Sequence, residues 1–381
     1  MASWSVNFDT RVNADDPKVV GLIARCYALA PVINGIPITP SRRDKIDRLN
    51  ILRAIRGTTG IEGAQLTVDE VALIIDSPLG KSALPKNRSQ EEQEGKNAQS
   101  VMKWIVRLIR RNPRCQLTEK IIRHAHKMLT RKIEYQGNVP GEYRSFPLAV
   151  GGYIPPRDSE VVRQLMENFI SWFNEGLPSK WDPIIRAIVA HFYIVSIHPF
   201  ADGNGRTSRA VESLLLYQAG INARGFYSLA NFYYQHRVEY VSFLDDVRFR
   251  TNGDLTPFVL FALNGLVSEL ESVHQEVLLE VREIAFRDYV REQLQDKLDT
   301  KSGLRMLDFM VLLGITPTSI KEIRSGGHPL HKIYNKLTPR TLYRDLEYLK
   351  GLKLITLEKE GCLKANLDVM GQFTAHKELM G

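Results

Sequence analysis

Cysteine is scarce in this chain. Three residues, Cys26, Cys115 and Cys362, are far apart and form no CxxC, which argues against a disulfide framework or a zinc site and fits a reducing cytoplasm. No run of eighteen apolar residues occurs, so no membrane span is expected. The start, MASWSVNFDTRVNADD, lacks the basic and apolar regions of a secretory signal. GxxxxGK[ST] is absent, which excludes a P-loop nucleotide site. Strand-like alternation is rare until the last eighty or so residues. What is present is a chain of 381 residues, 44% hydrophobic and 25% charged, long enough for two or three units with real cores. Its net charge of +8 suits nucleic acid or any anionic ligand.

Helical spacing dominates. SRRDKIDRLNILRAIR carries Ile46, Leu49, Ile51, Leu52 and Ile55 near helical spacing, and the glycines of GTTGIEGAQLT are expected to break that helix. Thr67 and Glu70 have the spacing of a capping box. DSPLGKSALPKNRSQEEQEG reads as a solvated loop. Helices are predicted over 93–110, 118–132, 159–174, 182–197, 205–219, 235–248 and 257–298, with a surface hairpin in SFPLAVGGYI, where Pro147 requires an edge. Near the end, TPTSIKEIR and TPRTLYRDLEYLKGLKLI each open with an N-cap and N1 pair, and LITLEKEGCLKANL reads as a hairpin. That order is a winged helix-turn-helix. The expected fold is mainly α, with an N-terminal region over 1–100, a helical core over 101–298 and a winged-helix domain over 301–381.

The segment SIHPFADGNGRTSRA concentrates the chemistry. His198 sits where a strongly apolar helix emerges, and Pro199 prevents simple continuation. Phe200 is expected to turn inward and anchor the loop. Gly203, Asn204 and Gly205 can adopt positive φ and leave backbone N–H groups uncovered, at the start of a helix whose dipole favours anions. Arg206 and Arg209, three apart, converge on that end. An aspartate among these donors, Asp202, makes sense if it holds Mg²⁺ against phosphate. His198 can take a proton near neutral pH. Together these residue types describe transfer from a nucleotide to a hydroxyl. His191, two turns before His198, reads as a satisfied core histidine.

HPFADGNGRTSR matches the Fic-domain signature, histidine-x-Phe-x-acid-Gly-Asn-Gly-Arg-x-x-Arg, at every specified position. The resemblance runs over roughly 42–250. It implies an all-α core with a hairpin flap that moves AMP from ATP to a protein hydroxyl. By that resemblance His198 is the base, Asp202 holds Mg²⁺, and Phe200, Gly203, Asn204 and Gly205 belong to the phosphate-binding loop. Arg206 would meet the β-phosphate and Arg209 the γ-phosphate, and the flap around Phe146–Tyr153 would receive a target segment as an added strand. Tyr240 would line the adenine pocket, although His236-Arg237 stand where the family commonly has Asn-Arg.

Thr58, Glu62 and Gly63 resemble the family's inhibitory motif, [ST]xxxE[GN], whose glutamate pairs with the second arginine, here Arg209. A carboxylate there would take the guanidinium fork that a γ-phosphate needs. By themselves these residues also fit a helix end with a glycine cap. The partners implied are ATP and a hydroxyl-bearing target protein or the chain itself. Two alternatives stay open: a DNA-binding regulator with a nucleotide-sensing core, and an enzyme that removes AMP. A homodimer is neither required nor excluded.

Overall fold

The computed structural model describes residues 5–78, 81–222, 229–251, 253–326, 328–358 and 361–373. The chain divides into two compact units, Met1–Gln275 and Glu276–Gly381, with the division inside a long helix.

The first unit is helical: α1 Pro17–Gly35, α2 Pro40–Gly60, α3 Val68–Asp76, α4 Ser89–Arg111, α5 Glu119–Leu129, α6 Ser159–Glu175, α7 Pro183–Ile197, α8 Asn204–Gln218, α9 Ala230–Gln235, α10 Arg237–Phe249 and the first part of α11, Thr256–Gln293. At the centre lies α7, whose residues are buried on nearly every face, as an all-round apolar helix must be. Helix α8 packs along α7, α4 and α5 pack on α8, and α2 packs against α4 and α9.

Three sequence expectations change here. First, α2 continues through Gly57 to Gly60. A Cβ at Gly57 would stand 2.6 Å from the Ala230 carbonyl, so the glycine permits close approach to α9, and packing overrides its poor propensity. Second, the last third of the expected solvated loop, from Ser89, is the start of α4. Its Glu92 accepts hydrogen bonds from Ser82 Oγ, Ala83 N and Leu84 N at 2.7, 3.1 and 3.0 Å. Third, the hairpin is reduced to one bridge, Val150 with Tyr153, closed over Gly151 and Gly152. Tyr153 is buried, its hydroxyl donates to Ser196 O at 2.6 Å, and Arg248 lies 4.1 Å from its ring centre. The Thr67–Glu70 capping box forms as predicted.

The second unit contains α12 Lys301–Leu313, α13 Ile320–Ser325, α14 His331–Tyr334 and α15 Pro339–Gly351, with β1 Thr318–Ser319, β2 Ile355–Leu357 and β3 Cys362–Ala365. The sheet is antiparallel in the order β1-β3-β2, with Thr318 opposite Leu363 and Ile355 opposite Ala365. The expected terminal hairpin is β2–β3; β1 is a third strand that its two-residue length hid. Phe309, Ile323, Leu342, Leu349, Leu354 and Leu363 belong to the core. Asp345 is buried beneath them, accepting from Arg305 Nε at 2.7 Å and Tyr334 Oη at 3.1 Å.

Candidate active site

His198 caps α7 with φ 52° and ψ 58°, a left-handed conformation that costs about 1 kcal/mol or more for a side chain of this kind. Arg144 helps to hold it there. Its Nε donates to His198 O at 2.8 Å, its backbone N–H to Pro199 O at 2.9 Å and its Nη1 to Phe146 O at 3.0 Å, while Nη2 donates to Pro156 O. Arg144 is buried and ties the flap base to the catalytic-loop backbone. Burial pushes the His198 pKa down to about 4, so the imidazole is neutral at pH 7. Its Nδ1 lies 3.2 Å from Val195 O. A proton on Nδ1 donated there leaves the Nε2 lone pair free to accept one.

The next residues are locked by their neighbours. Phe200 is buried and stacked on His126, with ring centres 3.7 Å apart and planes at 5°. Phe200 N donates to Asn204 Oδ1, and Asn204 Nδ2 donates to Phe200 O, both at 2.8 Å. These side chains therefore shape the loop: the Phe200 ring and the Asn204 amide, expected among the phosphate contacts, face inward. Gly141 N donates to His126 Nδ1 and His126 Nε2–H donates to Asp202 O, each at 2.9 Å. Burial holds the His126 pKa near 4, and Nδ1 must stay unprotonated to accept.

Both histidines fall below the ordinary value of 6.5, so the unfolded chain takes up protons first as pH drops. Their contribution to stability is whole above about pH 6.5 and is lost as pH falls toward 4. For the enclosed His126 the loss amounts to about 3 kcal/mol. The urea midpoint is accordingly expected to fall between pH 7 and pH 4.5; an unchanged midpoint contradicts neutral burial.

Gly203, with φ 73°, precedes α8, and no side chain caps that end. A Cβ on Gly203 would come within 2.8 Å of Thr130 Cγ2. The first-turn N–H groups of α8 are thus presented as an anion site. Arg206 and Arg209 are 3% and 2% exposed. Arg206 Nη2 lies 2.7 Å from Asp202 Oδ2 and Nη1 3.1 Å from Glu94 Oε1. Arg206 Nε and Nη1 have no hydrogen-bond acceptor among the described residues.

Arg209 is held from α2. Its Nη2 is 2.6 Å from Glu62 Oε1 and 3.0 Å from Thr58 O, and its Nε is 3.1 Å from Thr58 Oγ1. Burial alone would raise the Glu62 pKa, but the charges of Arg209 and Arg206 outweigh it and hold the carboxyl below its usual range. The same carboxylate lies over Gly205, where an added Cβ would collide with Oε1. A Cβ on Gly63, φ 107°, would meet nothing within 4 Å, and Gly63 N donates to Gly60 O at 3.0 Å in the turn that presents Glu62.

Tyr240, expected beside adenine, is buried. Its hydroxyl and His191 Nε2 are 2.8 Å apart and its ring stacks on Tyr233 at 4.7 Å. Tyr233 donates to Glu212 Oε1 at 2.9 Å, and His191 Nδ1 lies 3.3 Å from Glu212 Oε2. Burial pushes the Tyr240 pKa up to about 12. His191 is enclosed, as a core histidine would be.

Sequence reasoning overlooked His126, Arg144 and Glu94. Only Arg144 left a trace, inside GEYRSFP, and nothing there distinguished it from a surface arginine.

The described residues contain no group of three or more His, Cys, Asp or Glu suited to a metal ion, and Asp202, expected to hold Mg²⁺, lies against Arg206 at 2.7 Å. One carboxylate beside an anion site, with orphaned guanidinium donors, fits a magnesium ion carried in by phosphates better than one held in an all-protein cage.

A neutral imidazole, an uncapped glycine-led helix start and two buried guanidiniums thus lie on one loop-to-helix segment. Residues 116–216 match the Fic/DOC family model, so this segment is similar to Fic domains. Protein adenylyltransferase Fic of Aedes aegypti is 31% identical over 212 residues, 55% of this chain and 39% of that protein. Its Drosophila ananassae counterpart is 32% identical over 206 residues, 54% and 38%. The chain thus spans about two-fifths of the length of these relatives. Two solved structures share the fold. A Fic family protein from Desulfovibrio desulfuricans gives a TM-score of 0.54 at 19% identity, covering 96% of this chain and 98% of that one. Fic-1 of Caenorhabditis elegans gives 0.53 at 21%, covering 67% and 71%.

Proposed function

We propose that this chain is a protein adenylyltransferase that moves AMP from ATP to a serine, threonine or tyrosine hydroxyl of a target protein or of itself. The hydroxyl oxygen attacks the α-phosphorus, the bond from that phosphorus to the β-bridging oxygen breaks, and pyrophosphate leaves with the electron pair. The hydroxyl proton passes to His198 Nε2. Gly203, Gly205 and the α8 amides receive the phosphates, Arg206 the β- and Arg209 the γ-phosphate. Asp202 would hold Mg²⁺, which offsets phosphate charge when bound. Residues 145–149 form no ladder among the described residues, leaving main-chain groups for a target strand. With Glu62 on Arg209 the γ-phosphate would lose its partner, and that contact supports reading Glu62 as a restraint on transfer.

The observation that carries this reading is the buried Arg206 guanidinium, with two nitrogens lacking acceptors beside the uncapped start of α8. Incubating the Glu62→Gly chain with ATP labelled at either the α- or the γ-phosphate tests it. Protein-bound label is expected from the α-labelled form alone. Label from the γ-form, or from neither, refutes AMP transfer. Removal of AMP, with Glu62 orienting a water, would show instead as release of AMP from a modified protein by the native chain but not by Glu62→Gly.

A second reading takes the C-terminal unit, with its helices and small sheet, as a winged helix. The burial of Asp345 takes that charge off the outer face of α15, leaving Arg340, Tyr343 and Arg344 exposed with Glu347. This favours duplex DNA as a partner of that face. Binding of the full chain to a DNA duplex at low salt should weaken in Arg340→Ala/Arg344→Ala, and its salt slope should fall by about 2. No binding by the native chain removes the DNA reading. The free cysteines suit a reducing cytoplasm, and no described helix is long and apolar enough to cross a membrane.

A further inference from the structure

Arg206 is bordered by more negative charge than one phosphate clamp needs. Asp202 Oδ2 and Glu94 Oε1 approach different terminal nitrogens, at 2.7 and 3.1 Å, and the Glu62 charge also acts on the guanidinium. Glu94 reaches the site from α4 and is buried, with a hydrogen bond to Gln90. A carboxylate in such a place is costly unless its charge is matched. Burial pushes its pKa up and the Arg206 charge opposes that.

The two contacts differ in kind. Asp202 accepts a hydrogen bond from Nη2, whereas the Glu94 contact lies within ion-pair range while Nη1 has no hydrogen-bond acceptor. Glu94 therefore attracts the guanidinium without using its N–H donors. A carboxylate oxygen bound by arginine is available to a cation only once that hydrogen bond yields. Any group that draws Arg206 the other way makes Asp202 easier to recruit.

Resting on the nucleotide-site reading above, we propose that Glu94 is a positioning residue that shares Arg206 with Asp202, and so keeps Asp202 available to a divalent cation delivered by a polyphosphate. Removing the Glu94 charge has two consequences of different sign. Arg206 closes onto Asp202, so more Mg²⁺ is needed to recruit that carboxylate. The site also becomes more positive, so metal-free ATP binds no worse. Simple loosening of α4 against α8 would weaken binding with and without metal alike.

The test is calorimetric titration of the full-length Glu62→Gly chain with ATP, in EDTA and at stepped Mg²⁺ concentrations, with and without Glu94→Gln. The Mg²⁺ midpoint for ATP binding is expected to rise about tenfold in Glu94→Gln, the scale of one charge-assisted hydrogen bond. The Kd in EDTA should stay the same or fall, and Glu94→Asp should recover part of the midpoint. An unchanged Mg²⁺ midpoint overturns the proposal, and so does equal weakening in EDTA and in Mg²⁺. Absence of ATP binding by the Glu62→Gly parent in both conditions removes the nucleotide reading itself. Should Glu94→Gln fail to fold, Glu94→Asp carries the same comparison with a smaller shift in the same direction.

Discussion

Glu62→Gly is expected to raise AMP incorporation from ATP by on the order of 10- to 100-fold, the value of a charge-assisted hydrogen bond to a buried guanidinium. The magnitude follows from where the pair sits. Arg209 is 2% exposed, so solvent screens the 2.6 Å contact with Glu62 far less than it would a surface ion pair. Thr58 supplies two further acceptors, but neither carries charge. Thr58→Ala should therefore release much less activity than Glu62→Gly. Glu62→Gln, which keeps an acceptor and loses the charge, should fall between them. Equal incorporation of α-labelled ATP by native and Glu62→Gly proteins would remove Glu62 as the restraint.

His198→Ala, made in the Glu62→Gly background, should lower transfer by about 10²- to 10⁴-fold, the usual contribution of a positioned base. ATP binding should persist, since the phosphate contacts come from α8 and the two arginines. The left-handed backbone at 198 complicates an alanine there, because part of the loss could come from strain. His198→Asn removes the base while retaining a residue that tolerates φ near 52°. Matching losses in both variants, with ATP affinity preserved in a calorimetric titration, assign the effect to the missing base. Transfer by either variant at the parental rate would exclude it.

The signature from His198 to Arg209 was readable because its residues are neighbours in the chain, so spacing alone puts them at one helix start. Glu62 and Arg209 were linked through a motif resemblance, and the structure brings their side chains together. His126 and Glu94 were invisible, and Arg144 nearly so, for the opposite reason. Each reaches the loop from another element, and their local sequences, KIIRHAHKML, GEYRSF and EEQEGK, look like ordinary polar surface. Gly57 misled because propensity describes an isolated helix, whereas this glycine meets the backbone of α9. The bond from the Tyr240 hydroxyl to His191 was not legible, since the two residues are 49 apart in the chain. In the second unit the Thr-Pro start of α15 was legible. The burial of Asp345 was not, since only the packed partners Arg305 and Tyr334 explain an acid there.

The bare backbone at Gly205 has a consequence for how restraint could be lost. The gap above it admits the Glu62 carboxylate, and in the reading above the same gap admits nucleotide phosphates. Any side chain at 205 large enough to evict Glu62 would evict the nucleotide with it. A constitutively active descendant could therefore not arise by substitution at that position. It would have to arise on α2 or the turn after it, so mutations that free the enzyme and mutations that destroy it should fall on different helices.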